Sequence, residues 1–322
     1  MPDIVCLGEA LIDFVSLESG VSLVETPGFA KAAGGAPANV AVGLAKLGCS
    51  AGFIGKVGDD PFGRFLAQTI ASPGVDISQL KFESTARTGL AFVSLTATGE
   101  RDFVFYRHPS ADMLLRPDEI DEGYIAGAQL FHYGSITLIS EPSRSATLKA
   151  IEAARRSGAI VSYDPNLRLS LWNSAEHARA EMTAALDYAH MVKVSEEEIE
   201  FLFGESELDR GAEALLERPD VRLAVITRGE QGCYYRTRGA SGAIEGLRPA
   251  VVDTTGAGDA FVAAMLRGVL DTVGRGDWQA LAGDRLRRIM VEANAAGALT
   301  TTKKGAIPGL PTAAELAEFL AA

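Results

Sequence analysis

Asp253-Thr254-Thr255-Gly256-Ala257-Gly258-Asp259-Ala260-Phe261 runs straight into Val262-Ala263-Ala264-Met265. Small residues open a helix here. The backbone N–H groups of Gly256, Ala257 and Gly258 can therefore converge on an oxyanion, helped by the positive end of the helix dipole. Asp259 falls on the first turn of that helix. A carboxylate beside an anion cradle is electrostatically awkward unless it accepts a proton from an attacking hydroxyl. Taken alone, a plain Asp- or Thr-capped helix with small residues for close packing explains the segment equally well. The three small residues together with a second acid, Asp253, tilt the reading toward a site.

Outward from this helix, apolar runs of strand length alternate with helical patterns. Strands are expected at residues 4–7, 51–57, 128–133, 160–163, 191–194 and 223–226. Helices are expected at 38–47, 61–70, 142–156, 175–188, 195–203, 256–270 and 280–299. This rhythm predicts an α/β fold, a doubly wound, mostly parallel sheet with helices on both faces. Two stretches break it. Residues 87–107 read as a hairpin turning around Thr98-Gly99-Glu100, and 13–32 read as extended and irregular. Inserted in an α/β domain, such a hairpin packs as a small β lid. No repeat or linker interrupts the chain, so residues 1–322 are expected to form one domain with that lid. Two phosphate-binding α/β types are unsupported. Gly52-Phe53-Ile54-Gly55-Lys56-Val57 lacks the spacing and the Ser/Thr of a P-loop, and no G-x-G-x-x-G follows the first strand.

Lys plus Arg number 30 and Asp plus Glu 42, a net charge of −12. Binding nucleic acid by broad phosphate neutralisation is not expected. An anionic ligand would need local donors against the overall field. Cys6, Cys49 and Cys233 are far apart and odd in number, with neither zinc spacing nor Cys-x-x-Cys. They exclude a disulfide scaffold and suit a reducing cytoplasm. The N-terminal segment reads as a first strand, not a signal peptide. Residues 123–140 lack charge but hold too many polar groups and glycines for a membrane span.

Further motifs accompany the first. They are Gly34-Gly35-Ala36-Pro37-Ala38-Asn39-Val40-Ala41, Gly55-Lys56-Val57-Gly58-Asp59-Asp60-Pro61-Phe62-Gly63, Phe105-Tyr106-Arg107-His108-Pro109-Ser110-Ala111-Asp112-Met113, Phe131-His132-Tyr133-Gly134-Ser135 and Tyr163-Asp164-Pro165-Asn166-Leu167-Arg168. With the 253–261 segment, they make nearly the whole chain resemble the ribokinase-like (PfkB) family of carbohydrate kinases, and within it the fructokinases most closely. The resemblance implies a doubly wound parallel sheet with a β lid, and ATP, Mg²⁺ and K⁺ as ligands. The implied reaction is ATP-dependent phosphorylation of a sugar primary hydroxyl, D-fructose to D-fructose 6-phosphate. It implies Asp259 as catalytic base and the amides of Gly256, Ala257 and Gly258 as anion hole. Asp253 and Thr255, with carbonyls near Thr300, Lys303, Gly305 and Gly309, match its monovalent-cation site.

For the sugar, the resemblance points to Asp13, Gly34, Gly35 and Asn39. Two glycines let backbone approach a polyol, and Asn offers a donor and an acceptor. A Gly-rich turn and a solvated strand-end carboxylate are the plainer readings. For the nucleotide it points to Thr227, Gly229 and Gly232, also readable as a hairpin turn, and to Asn294 and Ala298, also readable as helix packing. Ser195-Glu196-Glu197-Glu198 is a capping box by sequence, and by resemblance Glu198 organises magnesium waters. Arg168 and Arg107 are cations able to offset phosphate or substrate charge, or to form surface salt bridges. Tyr106-Arg107 keeps 2-keto-3-deoxygluconate open as a substrate, because related kinases hold its carboxylate with a similar pair. Aminoimidazole riboside is another alternative, and a non-catalytic sugar or nucleotide sensor is one of a different class. In many relatives the lid pairs two subunits, so a homodimer is expected.

Overall fold

The computed structural model describes the chain except residues 19, 96–100, 275 and 322. Among the described residues, thirteen strands form two sheets. The larger has the order β13-β12-β11-β10-β9-β8-β1-β4-β5. Its members are β1 (Ile4–Leu7), β4 (Ala51–Gly58), β5 (Asp76–Glu83), β8 (Leu130–Gly134), β9 (Ile160–Asp164), β10 (Met191–Ser195), β11 (Leu223–Thr227), β12 (Cys233–Arg236) and β13 (Ser241–Ile244). Strands β5 to β11 across this order are parallel, and β12 and β13 close one edge antiparallel.

The parallel strands read as near-continuous apolar runs because both of their faces are covered. On one side lie α1 (Ala36–Lys46), α2 (Pro61–Ala71), α8 (Ala257–Val273) and α9 (Gly283–Thr300). The other core layer includes residues of α3 (Glu122–Ala126), α4 (Ser143–Arg156), α5 (Ala175–Ala185), α6 (Glu196–Phe203) and α7 (Leu208–Leu216). Short α10 (Ala306–Gly309) and α11 (Ala313–Ala321) end the chain. From β1, sequence progress runs to β4 and β5 on one side and to β8 through β11 on the other. Such a reversal opens a crevice at the carboxyl ends of the strands.

The smaller sheet has the order β3-β2-β6-β7, from β2 (Leu11–Ser16), β3 (Phe29–Gly34), β6 (Leu90–Leu95) and β7 (Arg101–Tyr106). It covers the two stretches that broke the α/β rhythm. The hairpin pairing of β6 with β7 is as expected, while the turn at 98–100 lies outside the described residues. Alternation sets its two faces. Phe14 stacks on Phe92 at 5.1 Å, and Tyr106 meets Phe92 edge-on at 5.3 Å. Asp13, Val15, Val93, Phe103 and Phe105 face a cavity instead. The helix expected over 175–188 stops at Ala185 and tightens into a 3₁₀ turn, Leu186–Tyr188. No described helix is long and apolar enough to cross a membrane.

Candidate active site

The cavity lies between the small sheet and the carboxyl ends of β1, β9 and β10, with a volume of about 660 Å³. The 253–261 and 34–41 motifs meet there. Gly256 caps α8 with φ 82°, a left-handed conformation that suits glycine. A Cβ at Gly256 would also press on the Ala306 backbone. Asp259 follows on the first turn and is buried. Across 220 residues of sequence, Asn39 Nδ2 donates a 2.8 Å hydrogen bond to Asp259 Oδ2. Asn39 Oδ1 is buried with no protein partner, and Asn39 lines the cavity at 4 % exposure. An orphan acceptor beside a cavity invites a hydroxyl donor.

The glycine pair gives that corner its shape. A side chain at Gly34 would collide with the Asp13 carboxylate. Gly35, at φ 107°, leaves no room for a side chain beside the Glu9 carbonyl. Glu9 Oε1 accepts from Ala36 N at 2.8 Å and so holds the start of α1. Burial pushes the Glu9 carboxyl up to about 7.

The electrostatics centre on a buried cluster. Lys193 Nζ lies 3.3 Å from both Asp164 carboxylate oxygens. Burial pushes the Asp164 carboxyl up to about 7; Lys193 opposes this, and Glu198 and Asp259 add to it. Burial also raises the Asp259 carboxyl, while the Asn39 hydrogen bond, Lys193 and Arg168 pull it back. Arg168 lines the cavity and donates to the Leu167 carbonyl at 3.0 Å.

The other expected residues separate into groups. Both Glu198 oxygens accept backbone N–H bonds, from Leu167 at 2.7 Å and Ser195 at 2.7 Å. The capping box is therefore real, and the carboxylate retains lone pairs for a water but is poorly disposed to grip a metal directly. Asp253 Oδ1 accepts from Thr255 N and Oγ1 at 2.9 and 2.6 Å, and Oδ2 accepts from Gly305 N at 2.8 Å. Thr300 O receives Lys303 N at 3.4 Å and lies against Gly309. This neighbourhood of a carboxylate and carbonyl oxygens has the hard donors a monovalent cation takes. Thr227 ends β11 and Gly229 and Gly232 lie in the turn to antiparallel β12, all outside the cavity lining. Asn294 Nδ2 donates to the Glu245 carbonyl at 3.0 Å. Ala298 lies one turn further along α9.

Tyr106 and Arg107 are not brought to the cavity. Tyr106 is 63 % exposed on the opposite face of the small sheet. Arg107 is buried, and its Nε and Nη2 both engage Asp112 Oδ2. Its carboxylate partner is already inside the protein. Sequence reasoning missed Lys193 and Glu9 and gave Asp164 no role. A lysine inside the apolar run of β10 was the available signal, because an ammonium is rarely buried without purpose.

The chain matches the pfkB family of carbohydrate kinases over residues 1–313. It belongs to that family. Among relatives of this pfkB kinase is the probable fructokinase-3 of Arabidopsis thaliana, 52% identical over 318 residues, covering 98% of this chain and 91% of the relative. A fructokinase from Xylella fastidiosa with bound ATP superposes with a TM-score of 0.90 at 33% identity, covering 100% of this chain and 99% of the other. A Vibrio cholerae fructokinase double mutant, in its fructose, ADP and potassium ion bound form, gives 0.86 at 36% identity, covering 99% and 98%. A putative ribokinase II from E. coli in complex with ATP and Mg²⁺ gives 0.86 at 28% identity, covering 100% and 99%.

Proposed function

We propose that this pfkB kinase transfers the γ-phosphoryl group of MgATP to the C6 hydroxyl of D-fructose, giving D-fructose 6-phosphate and ADP. The Asn39–Asp259 hydrogen bond carries the reading, because it joins the sugar motif to the acid beside the anion cradle. Asp259 takes the hydroxyl proton as the sugar oxygen bonds to phosphorus and the bond to the bridging oxygen of ADP breaks. The amides of Gly256, Ala257 and Gly258 receive charge on the phosphoryl oxygens. Asn39 Oδ1 and Asp13 accept from sugar hydroxyls, with Gly34 and Gly35 allowing close approach. Arg168 offsets the negative charge that gathers in the cavity.

Magnesium would supply charge neutralisation for the phosphates, and Glu198 would help hold its hydration shell through lone pairs left free by the capping bonds. Asp253, Thr255, Thr300, Lys303, Gly305 and Gly309 form the potassium neighbourhood, fixing the 253–258 loop from behind. Thr227, Gly229, Gly232, Asn294 and Ala298 flank the nucleotide. The small sheet acts as a lid that excludes water, which would otherwise compete as acceptor. The inward-facing Phe103 and Phe105 suit that task. With Arg107 satisfied by Asp112, the site holds no carboxylate clamp of the Tyr106-Arg107 kind, which favours fructose over the keto acid. Free Cys6, Cys49 and Cys233 suit the cytoplasm.

A coupled ADP-release assay across fructose, 2-keto-3-deoxygluconate, aminoimidazole riboside, ribose and glucose tests this, with and without K⁺. Fructose is expected to lead, with K⁺ raising the rate. Turnover of a different acceptor, or of none, would overturn the assignment. The same assay run against pH reads the base. Asp259 must be ionised to act, and burial raises its pKa. The acid limb of kcat is therefore expected above the ordinary aspartate range of about 4. A rate still full at pH 4 would contradict the role.

The outer lid face exposes Val104 at 44 % and Tyr106 at 63 %. We infer that two copies pair through it. Sedimentation is expected to give a dimer at micromolar concentration, and a monomer there would refute the pairing.

A further inference from the structure

Lys193 is a buried charge at the cavity that the phosphoryl-transfer mechanism does not use. In β10, Val192 and Val194 point into one core layer and Met191 into the other. Strand alternation puts Lys193 on the Met191 side, beneath α8. Burying an ammonium in a sheet is costly unless it is paired and hydrogen-bonded. Its partner, Asp164, is held at 3.3 Å to each oxygen, longer than the roughly 2.7–2.9 Å of a tight charge-assisted bond. The ammonium carries three N–H donors, and both Asp164 carboxylate oxygens accept from it. It also lines the cavity with Gly258 and Asp259. A methyl group built on Gly258 would stand 3.7 Å from Nζ. The cation therefore stands beside the amide cradle on the wall of the same cavity.

A loose phosphoryl-transfer transition state spreads charge over three equatorial oxygens. The amides reach from the helix end, and Lys193 rises from the sheet floor. We propose that Lys193 is a catalytic residue whose ammonium meets an oxygen of the transferring phosphoryl group beside the Gly256–Gly258 amides. This rests on the phosphoryl-transfer reading given above. Lys193 makes and breaks no covalent bond and keeps its three protons. The sugar oxygen gains the bond to phosphorus, ADP leaves with the bridging oxygen, and the hydroxyl proton goes to Asp259. Burial works against the ammonium, but Asp164, Glu198 and Asp259 around it outweigh that and hold it charged. Through the same proximity Lys193 also pulls the Asp259 pKa down against the effect of burial. The other groups facing Asp259 are Asn39 from α1, Arg168 after β9 and Asp164 at the end of β9.

The test compares the wild-type enzyme with Lys193→Met and Lys193→Arg. Wild-type turnover of fructose is read first, so failure of the substrate assignment shows there and not in the variants. Lys193→Met is expected to lower kcat about 10²–10³-fold, the scale of losing one transition-state donor, with fructose Kd by calorimetry within about threefold. Its acid limb of kcat should move to higher pH, because Asp259 has lost a neighbouring cation. Lys193→Arg should return the limb toward its wild-type position. A kcat near wild type in Lys193→Met would overturn the proposal. So would a loss with an unmoved acid limb that arginine does not rescue, the pattern of a merely structural lysine. Independently of variant folding, wild-type crystals grown with MgADP, fructose and aluminium fluoride should place Nζ in hydrogen-bond contact with a fluoride. An ammonium still confined to Asp164 there would overturn the proposal.

Discussion

Asp259→Asn is expected to lower kcat about 10³-fold, inside the 10²–10⁴ range typical of a general base, while fructose binding stays within about threefold. The change is nearly isosteric. The introduced amide can still offer its carbonyl oxygen to Asn39 Nδ2, so the 2.8 Å contact that orients the residue survives. What is lost is the capacity to take a proton. Burial makes that loss clean, because bulk water cannot readily substitute at a buried position. Steady-state kinetics with calorimetric fructose binding separates the two effects. Turnover near the wild-type rate would remove Asp259 from the chemistry. A large loss of fructose affinity would make it a binding residue instead.

Asn39→Ala is expected to act on both binding and rate. Its Oδ1 is the orphan acceptor beside the cavity, and its Nδ2 is the donor that steadies Asp259. Losing a hydrogen bond to a substrate hydroxyl costs on the order of 1 kcal/mol, and losing one to a charged group about 1.5–3 kcal/mol. The fructose KM is therefore expected to rise about fivefold and kcat to fall about 10-fold or more, with the ATP KM within about threefold. The acid limb of kcat should also move up, because the Asn39 bond holds the Asp259 pKa down against burial. Equal changes in both substrates' KM would contradict a sugar-side position for Asn39.

Legibility in the sequence followed how local each signal is. The cap of α6 could be read because Ser195 and Glu198 are three residues apart and hydrogen-bond each other's backbone. The opening of α8 could be read because glycine at Gly256 answers a local φ. Strand β5 escaped notice because an edge strand freely carries polar residues, here Asp76, Gln79 and Lys81, where a central one carries few. Strand β2 was seen as extended, but its place between β3 and β6 depends on a parallel pairing such as Phe14 with Phe92, far apart in the chain.

Tyr106, brought forward by the resemblance and not by any strand pattern, lies on the face of the small sheet turned away from the cavity. Phe105 faces the cavity and Tyr106 faces away, and alternation alone does not say which set looks inward. Arg107 found its carboxylate five residues on, at Asp112, within a turn that composition does not reveal. Lys193 and Asp164 lie 29 residues apart on neighbouring strands. Neither residue's chemistry is visible until the sheet is assembled, although a lysine within an apolar strand already marks an expense that something must offset.

The most direct measurement is a ¹³C NMR spectrum of uniformly ¹³C-labelled D-fructose after incubation with the wild-type protein and MgATP. Carbon–phosphorus coupling is expected at C6, with ADP formed one for one. Coupling at C1 in its place, or no coupled carbon in the presence of intact ATP, would contradict phosphoryl transfer to the C6 hydroxyl at Asp259.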